Sequence, residues 1–269
     1  MRVRTLMRSP VVTIGPDDEL ALAAQLMAWN GLRHLPVLRS DALVGLVSER
    51  DVLAGGGRPP AALVGRVSDV MTAEPETIGP DADVEDAAAR LVVNKHGSLP
   101  VVEGDALVGI LTTTDLLGHL AQVQLAPPAA GGLLDRDVES IMTSHVAAVF
   151  EDDPLSEAAA RMHQYGVRHL PVVDGMRRVI GVISDRDLLS TVGDLRHSLE
   201  QSTSKISEMR VRDAMTAEPR TVRPDRPLAE LVAVLAEERF GTLPVVDGEE
   251  RLLGMVSYVD VLRSLRQVS

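Results

Sequence analysis

The octet GLRHLPVL occupies residues 31–38, and GVRHLPVV returns at 166–173. Weaker copies stand between and after them, KHGSLPVV at 95–102 and RFGTLPVV at 239–246. A Met lies 28 residues before the Leu-Pro pair of each copy, at Met7, Met71, Met142 and Met215. A string of the form Gly-apolar-apolar-Ser/Thr-x-x-Asp follows each: GLVSERD (45–51), GILTTTD (109–115), GVISDRD (181–187) and GMVSYVD (254–260). Fixed order and nearly fixed spacing make these four repeats of one unit, with a period of 64 to 73 residues. That period is too long for a solenoid, so each repeat is a small domain. Repeats 1 and 3 share RHLPV and S-x-R-D, whereas repeats 2 and 4 share MTAEP and a small residue before Leu-Pro. The A-B-A-B alternation implies that a two-repeat module was duplicated.

Each repeat reads as β-α-β-β-α, which makes the chain an α/β (α+β) protein. A β-branched run follows the Met, then a turn, then a helix with one apolar stripe. The stripe is Leu20/Ala24/Met27, Val84/Ala88/Leu91, Leu155/Ala159/Met162 and Leu228/Val232/Leu235. In repeat 3, Asp153 reads as the N-cap and Pro154 as the first helical residue. Two apolar runs across a short polar turn then form a hairpin, and the Ser/Thr-x-x-Asp string opens the last helix. The units span 1–55, 66–124, 137–196 and 209–269, grouped as modules 1–124 and 137–269, with linkers at 55–65, 125–134 and 197–208.

Of the 269 residues 45% are hydrophobic and 2% aromatic, so the core is built from Val, Leu, Ile, Ala and Met. Cysteine is absent, which excludes disulfides and thiolate chemistry and suits a reducing compartment. A net charge of −12 argues against nucleic acid as a partner. No export signal or membrane span is legible, so the expected location is cytoplasmic. No P-loop, nucleophile elbow or metal-binding His pair occurs, so the chain does not read as an enzyme and no metal site is expected. The acidic clusters DDEL and EDDP sit where they favour a helix N-terminus.

The Met start, followed by Thr in three of the repeats, with Leu-Pro-Val-apolar and Gly-apolar-apolar-[Ser/Thr]-x-x-Asp, four times in order, resembles the CBS domain. The resemblance covers nearly the whole chain. It implies that two units pair through their sheets into a Bateman module and that two modules build a disc-like arrangement, with a homodimer of chains as the alternative. It further implies clefts for an adenosine compound: AMP, ADP or ATP, with or without magnesium, or S-adenosylmethionine. The protein would then be a regulatory sensor acting on a partner protein, or else a ligand-independent interaction scaffold.

A carboxylate is an acceptor only and can take both hydrogens of a ribose diol. By resemblance that role falls to Asp51, Asp115, Asp187 and Asp260. The hydroxyls of Ser48, Thr112, Ser184 and Ser257 would face phosphate at a helix N-terminus. Ordinary helix capping explains the same residues equally well. Backbone groups near Ile14, Ile78, Val149 and Val222 would read the adenine edge. Arg33, His34, Arg168 and His169 would meet phosphate, or one of each pair would pack between units. Arg50 and Arg186 are phosphate candidates or partners in surface ion pairs. The resemblance also brings Thr72, Thr143 and Thr216 near the ligand. Repeat 1 carries Arg8 at that position, which puts its own site in doubt or suits it to more anionic ligands. Repeat 3 holds every feature and is the expected principal site, and Tyr258 would stack on a base or cover the cleft of repeat 4. A site can also borrow Arg from the paired unit.

Overall fold

The structure, a computed structural model, describes residues 1–55, 63–123, 133–192, 208–238 and 241–265. The linkers expected at 55–65, 125–134 and 197–208 lie largely outside these residues. The chain divides into two compact units, the first built on Met1–Leu116 and the second on Leu117–Val192 and the described residues from 208 onward. The expected β-α-β-β-α order is present in both.

In the first unit α1 (Leu20–Asn30) leads into β1 (His34–Arg39) and β2 (Ala42–Ser48), and α2 (Glu49–Gly55) follows. After the short α3 (Val67–Val70) and β3 (Thr72–Ala73), the pattern repeats as α4 (Val84–Val93), β4 (Ser98–Glu103), β5 (Ala106–Thr112) and α5 (Thr113–Val123), of which the residues from Leu117 on are counted with the second unit. The two antiparallel hairpins meet edge to edge at Ala42 and Ala106. Ser40 and Asp41 turn the first hairpin with φ of 48° and 69°, the double left-handed conformation of a two-residue turn.

The second unit contains β6 (Thr143–Ser144), β7 (Val149–Phe150), α6 (Leu155–Tyr165), β8 (His169–Val173), β9 (Val179–Ser184) and α7 (Asp185–Val192). Its other half contains β10 (Thr216–Ala217), α8 (Leu228–Glu237), β11 (Thr242–Val246), β12 (Leu252–Ser257) and α9 (Tyr258–Leu265). The sheet orders are β10-β9-β8-β7 and β11-β12-β6. The hairpins again touch at one backbone bridge, Arg178 to Arg251.

The first strand of each repeat is shorter than its β-branched run suggests. It is two residues long in repeat 3 (β7) and a single parallel bridge elsewhere, Ile14 to Val37, Ile78 to Val101 and Val222 to Val245. The helix stripes pack on the sheets as expected, with a local shift. In α1 and α6 the fully buried middle positions are Ala23 and Ala158, one residue before Ala24 and Ala159. The stripe there follows i, i+3, i+7.

Asp153 does not cap α6. Its Oδ2 accepts the Phe150 N–H at 2.9 Å, and Pro154 is itself the N-cap residue. Asp18 likewise closes a turn on the Gly15 N–H at 2.7 Å. The reason is that the helix start is already satisfied from outside. The Leu155 N–H donates to the Met209 carbonyl at 3.0 Å. The equivalent N–H groups of Leu20, Val84 and Leu228 donate to Gly65, Met1 and Arg136. Each donor belongs to one repeat and each acceptor to the segment entering its neighbour. Backbone thus does what a capping side chain does elsewhere.

The segment after each Met is exchanged in the same way. Thr72 of β3 pairs with Leu46 of β2, and Arg8 pairs with Ile110 of β5. In the second unit Thr216 pairs with Val182, and Thr143 with Met255. The Gly that opens each string makes room for this strand. A Cβ would come within 2.5 Å of the Met7 sulfur at Gly109 and of the Met215 sulfur at Gly181. It would come closer still to the Met71 sulfur at Gly45 and to the Thr143 carbonyl oxygen at Gly254.

The repeats also meet at the Arg-His positions. His34 lies over Gly97 with its ring 2.6 Å from where a Cβ would stand, and His169 lies over Gly241 at 3.6 Å. Burial lowers the pKa of His169; Arg186 and Arg168 push the same way, while Asp185 and Asp187 oppose.

Gly254→Ala should destabilise the second unit by about 1–3 kcal/mol, because the obstructing atom is a backbone oxygen. Gly118→Ala, on the open face of α5 with nothing within 4 Å of the added carbon, should stabilise by about 0.5–1 kcal/mol. Urea midpoints decide both. His169 is held neutral in the folded state, so its contribution is complete above its ordinary value of 6.5 and is lost as pH falls through the lower folded value. His169→Gln should flatten the loss of stability below about pH 6.5, measured as urea midpoint against pH.

Candidate functional site

Each hairpin ends on a Ser or Thr, and the last helix of the repeat begins at the next residue. There the four strings form one construction. The Asp Oδ2 accepts both the backbone N–H and the hydroxyl of the residue three before it. The N–H distances are 2.9 Å for Ser48–Asp51, 2.9 Å for Thr112–Asp115, 2.7 Å for Ser184–Asp187 and 2.9 Å for Ser257–Asp260. The hydroxyl distance is 2.6 Å in all four. Ser48, Thr112 and Ser184 in turn accept the Asp N–H at 3.2, 3.3 and 3.3 Å. This is a reciprocal capping box with Asp in the third helical position. One carboxylate oxygen is consumed by the helix. Asp51 and Asp187 are half-buried.

The exchanged strands decide which of these residues stand side by side. Thr72, Arg8, Thr216 and Thr143 occupy one equivalent register, two positions before Ser48, Thr112, Ser184 and Ser257 on the neighbouring strand. Thr72 therefore stands beside Ser48 and Asp51, and Thr216 beside Ser184 and Asp187. Thr143 joins Ser257 and Asp260. The expectation that repeat 3 gathers its own Thr143 with Ser184 and Asp187 is corrected by this crossing. The same correction applies to Arg8. It does not alter the string of repeat 1; its Nε donates to Asp115 Oδ1 of repeat 2 at 2.6 Å. The Asp115 side chain is 8% exposed and that of Arg8 47%.

The basic candidates fall into two sets. Arg33 and Arg168 are exposed, and Arg50 and Arg186 are half-buried in the first turns of α2 and α7. His34 and His169 lie on the glycines of the neighbouring repeat, and His169 is neutral at neutral pH, which favours packing over phosphate contact. Tyr258 also approaches Gly241, its ring carbon 3.9 Å from a Cβ there, at the same seam. Ile14, Ile78 and Val149 are buried. The N–H and C=O of Ile14, Ile78 and Val222 are both engaged by the hairpin beside them, at 2.9–3.1 Å. Their N–H groups are therefore spent, and donation to an adenine edge would pass to adjacent residues.

The Arg8 contact was hidden from sequence reasoning although its signal, Arg in the place of Thr, was plain. The missing step was that the segment crosses to the other repeat. Among the described residues no group of three or more His, Asp or Glu could hold a metal ion, and no helix is long and apolar enough to cross a membrane.

Comparison with known proteins agrees with this architecture. The CBS-domain family matches residues 3–55, 67–122, 138–194 and 211–267. The uncharacterised protein MJ1225 of Methanocaldococcus jannaschii is 24% identical over 275 residues, 94% of either chain. Protein MJ1404 of the same organism is 27% identical over 270 residues, and the chain spans 97% of itself and 61% of that relative. The crystal structure of MJ1225, described as a candidate archaeal homologue of γ-AMPK, superposes with a TM-score of 0.79 at 22% identity, covering 98% of this chain and 100% of that one. A conserved protein of Pyrococcus horikoshii superposes with a TM-score of 0.64 at 23% identity over 98% of this chain and 100% of its own. With four matched domains, each carrying its own capped Ser/Thr-x-x-Asp string, the chain belongs to the CBS-domain family.

Proposed function

We propose that the protein is a regulatory sensor that binds an adenosine-type ligand in the clefts beside its Ser/Thr-x-x-Asp strings and acts on a partner protein. The supporting observation is the half-used carboxylate. At Asp51 and Asp187 the cap takes Oδ2 alone, and in this reading Oδ1 is the oxygen that accepts from a ribose diol. The hydroxyl of Thr72 or Thr216, arriving from the paired repeat, stands on the neighbouring strand. Arg168 and Arg186, with Arg33 and Arg50 in the first unit, supply cations for phosphate in an otherwise acidic protein. The ligands in view are AMP, ADP, ATP with or without magnesium, and S-adenosylmethionine, in a cytoplasmic protein. Since each cleft is walled by two repeats, a ligand that prefers one spacing of those walls shifts the population of module states, and a partner reads the shift.

A second reading is favoured by the caps themselves. Every Asp already completes its helix, so the domains are stable without a ligand and could act as a docking scaffold alone.

Thermal melts separate the two. A true ligand at a hundredfold excess over its Kd should add about 2.7 kcal/mol of stability, growing with concentration. Asp187→Asn keeps an acceptor for the cap but loses its charge, so the ligand-free melt should fall modestly and serves as the variant's own baseline. The lost charge-assisted bonds, worth about 1.5–3 kcal/mol, should weaken binding in that cleft roughly tenfold to a hundredfold. Melts unmoved by every one of these compounds would leave the scaffold.

A further inference from the structure

We infer that Arg8 is a built-in plug that closes the Thr112/Asp115 cleft to a ribose, so that the first unit keeps one fillable cleft and not two. This rests on the adenosine-binding reading above, and it concerns a residue at which this chain departs from its own repeats. At the register where repeats 2, 3 and 4 place Thr72, Thr143 and Thr216, repeat 1 places Arg8. The strand crosses to β5, held by the Arg8 N–H to Ile110 carbonyl bond at 2.9 Å and its reciprocal at 3.1 Å. That anchoring points the guanidinium at Asp115, whose two oxygens are then both committed: Oδ2 to the Thr112 N–H and hydroxyl, Oδ1 to Arg8 Nε at 2.6 Å.

A diol seeking Asp115 must displace a charge-assisted bond to a carboxylate that is nearly removed from water, which a pair of neutral hydroxyls does poorly. Beside the other three acids the crossing strand brings Thr72, Thr216 or Thr143 to that register in place of an Arg. Asp260 lies 3.9 Å from the end of Arg263, whose side chain is 59% exposed. The plug therefore makes the clefts unequal through a single side chain supplied by the neighbouring repeat.

The test is the stoichiometry of AMP and ATP binding to the full-length chain by isothermal titration calorimetry. Arg8→Thr installs the residue that the other three repeats already carry, so the fold should accept it. It should gain one site per chain over the parent. Arg8→Lys keeps a cation and should gain none, and Arg8→Thr combined with Asp115→Asn should lose the gained site. Equal stoichiometry for the parent and a folded Arg8→Thr variant overturns the plug. If the parent binds neither nucleotide, the sensor reading fails on its own account. In that case a site appearing in Arg8→Thr still supports the plug, and silence in both proteins overturns it as well.

Discussion

The glycine at the head of each Ser/Thr-x-x-Asp string is the constraint on which the rest depends. Its missing side chain lets a strand from the neighbouring repeat lie flat against the hairpin, with Met7, Met71 or Met215 filling the space over Gly109, Gly45 or Gly181. The same neighbour supplies the carbonyl that receives the first N–H of the long helix, as Met209 does for Leu155. A repeat alone would leave a sheet edge uncovered and a helix start unsatisfied, both costly when buried. The pair is accordingly the smallest unit in which all these backbone groups find partners.

The alternation of repeats follows from the same pairing. The residue just before Leu-Pro in one repeat lies over the residue two before Leu-Pro in the other, so a bulky residue on one side requires a small one on the other. His34 faces Gly97, and His169 faces Gly241. Two Arg-His pairs in apposition would crowd two rings and two guanidinium groups into one place. A pair therefore needs unlike members. RHLP in one repeat and GSLP or GTLP in the other is the written trace of that requirement, and duplication of the finished pair produces A-B-A-B.

Much of this was legible in the amino-acid order. The hairpins and the helix stripes are statements of local periodicity, and the repeats are statements of identity at fixed spacing. What was not legible was exchange. A backbone bond from Leu155 to Met209 leaves no mark on residue type, so Asp153, which looks like a cap, turned out to close a turn on Phe150. Thr143 looked like part of its own repeat's cleft and belongs with Ser257 and Asp260 because β6 pairs with β12. The strings themselves were read with two roles open, cap and ligand contact. The geometry shows the cap, made through one carboxylate oxygen, and the proposed ligand contact falls to the other.

That division of one carboxylate bears on how a sensor of this kind would work. The oxygen given to the cap ties Asp187 to the start of α7, and the neighbouring Thr216 rides on a strand whose other end leads into α8. A ligand touching both would therefore join the beginning of one repeat's last helix to the entry segment of the other. Its binding energy is largest at the spacing where both contacts are made, so occupancy selects that spacing. Where the contact is already made from within, as Arg8 makes it to Asp115, the spacing is fixed without any ligand. One side of such a module would then be a permanent strut against which the other side can move.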